Sequence, residues 1–297
     1  MRAPLHATAL LEFLASRAIR GVERVTEHGY ERALALPHGP GAVRIEPATD
    51  HMRATLHLTD MRDLAPAVAR CRRLLDLDAD PVAVDTALAE DLALAPLIAK
   101  EPGVRVPRAV DGFEIAMRAI VGQQVSVAGA RTVLARLVSA SARHVDRAEA
   151  QAVAELATNT PGSGGAPAGG ADELVPFPPA SQVAELPDDA FPMPATRRET
   201  IRTLARAVAS GELQLDGGAD RAETQAALLA IPGIGEWTAD YVAMRALGDP
   251  DVFLPTDLGA RRGAKGLGLP DKPAALKTHA ERWRPWRSYA LIRLWRS

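Results

Sequence analysis

A chain of 297 residues, 47% of them hydrophobic, is long enough for two or three domains with a real core. Its net charge of −2 supplies no global basic field, so a nucleic-acid partner would have to be met by segregated charge. The single cysteine, Cys71, excludes an internal disulfide, a Cys-rich zinc site and a four-Cys iron–sulfur cluster, and the histidines show no ligand pairing at i, i+4. No apolar run of about 18 residues and no signal peptide is present, which predicts a cytoplasmic protein without a membrane partner.

In chain order, Leu10 to Ile19 has one apolar helical face. The pattern then changes to short strand-like runs at 32–36, 41–45 and 52–58. Turn residues at His38–Gly41 and Pro47–Asp50 separate them, the signature of an antiparallel meander. Helical periodicity returns over 64–77, with Val68, Cys71, Leu74 and Leu75 facing inward. Residues 1–98 therefore read as an α/β domain with an antiparallel sheet, and 99–297 as a second, helical domain. Asp111 is placed to N-cap a helix, with Glu114 in the capping-box position. Between that helix and the run from Val127 to Val138 lies the break Gly122-Gln123-Gln124-Val125-Ser126. Two adjacent amides offer donors and acceptors that can read base edges, while a solvated interhelical turn explains the same residues. Further helices are expected at 147–157, 180–186, 196–210, 224–230 with Thr224 as N-cap, and 285–295. The Gly/Ala/Pro-rich stretch 158–172 reads as a flexible surface insertion.

The most informative stretch runs from Leu229 to Asp257. Pro232-Gly233-Ile234-Gly235 is a turn whose glycines admit positive φ and close approach of another surface. It feeds a helix with Trp237, Tyr241 and Met244 on one face, and a glycine turn at a helix N-terminus presents unpaired amides suited to a phosphate. After Phe253-Leu254-Pro255-Thr256 comes Asp257, an acid that can N-cap the next helix and also act as a carboxylate beside the first half of the preceding one. A carboxylate there can stabilise positive charge that develops in a transition state, and can orient a water. Electron-rich aromatic faces attract a cationic ring, and Trp237, Tyr241 and Trp295 are the candidates, whereas Trp283 and Trp286 read as core. From Ile231 to Ser297 there are eleven Lys/Arg against seven Asp/Glu, a net +4 that agrees with a DNA-facing C-terminal third.

The words LLEFLASRAIRGVE, FEIAMRAIVGQQVSVA, IPGIGEWTADYVAMR, DVFLPTD and ERWRPWRSYALIRLW, in this order, resemble the DNA-3-methyladenine glycosylase II branch of the helix-hairpin-helix DNA glycosylases. The resemblance implies an α+β fold: an N-terminal antiparallel sheet with helices, followed by a mostly helical, two-subdomain glycosylase core. It implies a base-excision repair enzyme that flips alkylated purines out of double-stranded DNA. Asp257 would be the catalytic carboxylate, and Trp237, Tyr241, Trp295 and Phe13 the pocket. Gln123, Gln124, Gly233, Gly235 and Thr238 would meet DNA. The carbonyls of Leu229, Ile231 and Ile234 would hold a monovalent cation, Na⁺ or K⁺, with no other cofactor required. Bifunctional members carry Lys two positions after the hairpin's last Gly, where this chain has Trp237, so a water-using enzyme is implied. The position of the relatives' Leu wedge is Gln124 here. The competing readings are a non-catalytic hairpin DNA-binding module and a glycosylase/lyase. A nucleoid-associated monomer is expected; the resemblance leaves open whether the chain stands alone or is the C-terminal portion of a fusion with a DNA-methyl-acceptor module.

Overall fold

The computed structural model describes residues 2–49, 51–142 and 174–297. The helix expected at 147–157 and the insertion at 158–172 lie outside the described residues. The chain packs as two compact units, each drawn from separated stretches: 1–10, 72–116 and 214–297 in the first, 11–71 and 117–213 in the second. The sequence division at 98/99 falls inside the first unit, because Arg72 to Ala116 packs with the C-terminal third.

The second unit holds the sheet. Strands β1 (Glu23–Val25), β2 (Tyr30–Leu36), β3 (Gly39–Pro47) and β4 (Met52–Leu58) form an antiparallel meander in sequential order. Leu36 pairs with Gly39, so the β2–β3 hairpin turns on Pro37-His38 and β3 begins two residues before the expected start at Gly41. The short β1 carries no hydrophobic alternation. Its Glu23 is buried and accepts hydrogen bonds from Ile19 N (2.6 Å), Tyr30 Oη (2.5 Å) and Arg118 Nη2 (2.6 Å). Asp63, also buried, takes His38 Nδ1 at 2.8 Å. Helices α1 (Ala7–Arg17), α2 (Leu64–Leu74), α5 (Gly112–Val121), α6 (Val127–Ala142), α7 (Ala180–Glu185) and α8 (Ala195–Ala209) complete this unit, α1, α2 and α5 being shared with the first. Asp111 caps α5 as expected, Oδ1 accepting from Glu114 N at 2.9 Å.

The first unit also contains α3 (Pro81–Leu88), α4 (Ala95–Lys100), α9 (Arg221–Leu229), α10 (Glu236–Val242), α11 (Leu258–Gly266), α12 (Pro273–Ala280) and α13 (Arg287–Arg296). Its core is built on Leu88, Leu94, Met244, Leu254, Leu276, Trp283 and Leu291. Helix α9 starts earlier than expected: Asp220, not Thr224, is the N-cap, accepting from Glu223 N at 2.9 Å. Trp283 is core, as expected. It is 2% exposed, donates to Asp91 Oδ2 at 2.8 Å and meets the edge of Phe253. No described helix is long and apolar enough to cross a membrane.

Candidate active site

The site is assembled at one end of the first unit by the turn between α9 and α10, by the start of α11 and by the end of α13. Helix α10 continues as one wide turn, Ala243–Leu247, and stops at Gly248, which takes the left-handed conformation at φ 71°. A wider turn of this kind shifts the phase of the side chains after it. The chain then reverses, and Leu254 and the loop after it bring Asp257 back to α10.

Asp257 caps α11, its Oδ1 accepting from Ala260 N at 2.8 Å. The same oxygen takes the indole N–H of Trp295 at 2.8 Å, and Oδ2 takes that of Trp237 at 3.2 Å. Three donors thus fix the carboxylate in one orientation. A carboxylate has about four lone-pair directions, so acceptor capacity remains on Oδ2. The aromatic rings continue from the acid. Trp237 and Tyr241 stack with centroids 5.2 Å apart and an interplanar angle of 14°, and Trp295 lies 6.4 Å from Tyr241. All three rings are half-buried. Gly259 admits this arrangement, since a Cβ there would lie 2.9 Å from Trp295 Cδ1 and 3.1 Å from Asp257 Oδ1.

Sequence reasoning missed Arg245. It is 3% exposed, donates from Nη1 to Tyr241 Oη at 2.6 Å and from Nη2 to the Arg108 carbonyl at 3.4 Å. Its place four residues after Tyr241 was the available signal, since such pairs meet on a helix. A second acid on α10, Asp240, has a different environment. It accepts from Gln225, and its carboxyl is held above the ordinary value first by burial and then by Glu236. Asp257 is the acid that meets the indoles.

The hairpin residues divide. Gly233 is exposed at φ 91°, as a tight turn requires. Gly235 is the N-cap of α10 at φ −101°, so its backbone does not need glycine, and a Cβ there would meet nothing within 4 Å. Thr238 sits in the first turn of α10. It is 3% exposed, with its amide donating to Gly235 O at 3.0 Å, because it lies on the inner side of the first turn. Ile231 O accepts from Ile234 N at 3.1 Å, one of its two lone pairs. With Leu229 and Ile234 it makes a set of neutral carbonyls at a helix end, a donor chemistry that fits a weakly held monovalent ion. No group of three or more His, Cys, Asp or Glu able to hold a metal occurs among the described residues.

The remaining predicted residues belong to the second unit. Phe13 lies on α1, half-buried, with the Arg17 guanidinium 3.7 Å from its ring centroid. Gln123 and Gln124 form the turn between α5 and α6. Gln124 is exposed at φ 60°, and Val125 beside it is 44% exposed.

The site is thus a carboxylate held by two indoles beside a stacked aromatic pair. Over 293 residues the chain is 36% identical to DNA-3-methyladenine glycosylase 2 of Escherichia coli, covering 96% of this chain and 92% of that protein. The chain belongs to the DNA-3-methyladenine glycosylase 2 (AlkA) family. Residues 1–111 match the family description of the AlkA N-terminal domain. It is also 45% identical, over 99% of its length, to a probable bifunctional transcriptional activator/DNA repair enzyme AlkA of Mycobacterium tuberculosis. The chain spans 55% of that mycobacterial relative. The fold matches a 3-methyladenine DNA glycosylase from Archaeoglobus fulgidus with a TM-score of 0.79, covering 99% of this chain and 95% of that one at 20% identity. The α+β class expected from sequence is therefore the fold of this AlkA-family chain.

Proposed function

We propose that this chain is a monofunctional DNA glycosylase that flips an alkylated purine, 3-methyladenine or 7-methylguanine, out of double-stranded DNA and hydrolyses its N-glycosidic bond. The observation that carries the reading is Asp257, oriented by two indoles and a helix amide with acceptor capacity left on Oδ2. A purine alkylated on the ring is already cationic, and Trp237, Tyr241 and Trp295 offer it aromatic faces at about 0.5–2 kcal/mol per contact. When the C1′–N bond breaks, its electron pair stays on the base, which leaves neutral. The positive charge passes to the sugar, where the carboxylate stabilises it. A water then adds to C1′ and its proton leaves by way of Asp257 or solvent. Trp237 occupies the place of the lyase lysine, so no Schiff base forms there.

The hairpin supports the DNA reading. Gly235 has no conformational or internal steric need to be glycine, which leaves approach by an outside surface as its use. The amides at this turn would meet a phosphate, with a monovalent ion on the carbonyls of Leu229, Ile231 and Ile234 completing the turn. Gln124, held outward, would enter the gap left by the flipped base and bond its orphaned partner.

The test is release of labelled bases from methylated duplex DNA, resolved by product, with borohydride added in parallel. Free 3-methyladenine and 7-methylguanine without a trapped protein–DNA adduct are expected. Release of neither base, or efficient trapping, overturns the reading. A second expectation concerns Arg245. Loss of a charged hydrogen bond to Tyr241 is worth about 1.5–3 kcal/mol. Arg245→Met should therefore raise KM for damaged duplex about tenfold or more with a smaller change in kcat, because Tyr241 holds the base and does not touch the breaking bond. Steady-state kinetics on a defined lesion checks this, and Arg245→Lys should recover part of the loss.

A further inference from the structure

Helix α11 begins at Asp257, and its faces differ sharply. Ala260 and Ala264 are fully buried in the core. Gly263 packs so tightly on α13 that a Cβ would collide with the Leu294 carbonyl. Residues 259, 260, 263 and 264 thus form the inner side. Leu258, Arg262 and Lys265, at i, i+4 and i+7, lie along the outer side. Leu258 is 63% exposed, and Arg262 and Lys265 are both exposed. Four other arginines of this unit are neutralised by acids: Arg284 and Arg287 by Asp251 and Glu281, Arg293 by Asp85, Arg296 by Glu101. Neighbouring Arg261 is tied to the Asp271 carbonyl at 2.8 Å. Among the described residues neither Arg262 nor Lys265 has an acidic partner.

We propose that this outer face of α11 is a binding surface for the sugar–phosphate backbone of the DNA strand that carries the flipped base. The inference rests on the glycosylase reading of Asp257 and adds a contact beyond the hairpin and the Gln123-Gln124 turn. At about 1.5 Å per residue, Arg262 and Lys265 stand about 6 Å and 10.5 Å along the helix from Leu258. A strand carries one phosphate per about 3.4 Å of duplex axis. Two long basic side chains at this spacing reach neighbouring phosphates, while Leu258, next to the carboxylate, packs on the adjoining deoxyribose. The surface needs a polyanion: it has two unneutralised cations in line, one apolar residue at the catalytic end and no acid on that face. The bland account is that Lys265 merely complements the helix dipole in the last turn, which would affect stability and not DNA affinity.

The experiment measures binding of the full chain to a duplex carrying a tetrahydrofuran abasic-site analogue, across about 50–200 mM salt. Each phosphate contact contributes about 0.9 to the slope of log K against log salt. The double variant Arg262→Ala/Lys265→Ala is expected to lower the slope by about 1.8, with an unchanged melting midpoint. Leu258→Ser is expected to weaken binding with the slope intact. An unchanged slope in the double variant overturns the proposal, as does a loss of melting temperature without a change in slope. Base release by the unaltered protein separates the two readings. If release fails while the slope still drops in the double variant, the surface stands and the glycosylase assignment falls. If release is normal and the slope does not move, the surface is wrong and the assignment stands.

Discussion

Asp257→Asn is expected to lower base release from methylated DNA by about 10²–10⁴-fold while leaving affinity for abasic-analogue duplex within a few-fold. The expectation is sharp because the change is structurally mild. Asn is as good an N-cap as Asp, so α11 keeps its first turn. The retained oxygen can still accept from Ala260 N and the Trp295 indole, the partners of Oδ1. What is lost is the negative charge and the acceptor on Oδ2, where an amide NH₂ would face the Trp237 N–H. A protein that folds, binds and does not cut would locate the chemistry in that charge. Single-turnover release measured alongside equilibrium binding decides it, and full excision by the variant would sink the catalytic assignment. Asp257→Ala is the poorer test, since it also removes a cap worth about 1 kcal/mol.

How much of this was legible depended on how local the cause was. The α9–α10 turn, the helix carrying Trp237 and Tyr241, and the cap at Asp257 are set by residues a few positions apart, and glycine, proline and acid spacing announce them. The meander was equally visible, because β2 to β4 are short strand-like runs separated by turn residues. Strand β1 was not: Glu23-Arg24-Val25 looks like loop, and only its pairing with 30–32 and the buried partners of Glu23 make it strand. Long-range polar contacts left no trace. Trp283 meets Asp91 across 192 positions, and Arg245 meets the Arg108 carbonyl across 137. Interleaving was hidden for the same reason, since 72–116 packs with residues more than a hundred positions away. The burial of Thr238, 3% exposed, was likewise not announced by its motif position, since helix phase sets it.

The largest stability effect is expected not at the site but in the second unit, at Arg118. Its Nη2 meets Glu23 Oε2 at 2.6 Å and its Nη1 the Arg17 carbonyl at 2.7 Å. The carboxylate is 4% exposed and the guanidinium 14%. Removing one member of a buried ion pair costs about 3–5 kcal/mol, because the partner is left charged in a poorly solvating interior. Arg32, at 3.5 Å, offsets this only weakly, and burial holds the Tyr30 phenol well above its ordinary pKa so that it stays a neutral donor. Arg118→Met is therefore expected to lower unfolding free energy by about 3–5 kcal/mol, read from the denaturant midpoint at constant slope. A loss below about 1 kcal/mol would put the pair in the surface class and refute the argument. The consequence reaches function through geometry. Arg118 joins α5, which ends at the Gln123-Gln124 turn, to the end of α1, which carries Phe13 four residues before Arg17. Faster amide exchange over 11–19 should accompany the lost stability. A charge that touches no substrate then sets how firmly the Phe13 helix and the Gln124 turn are held to one another.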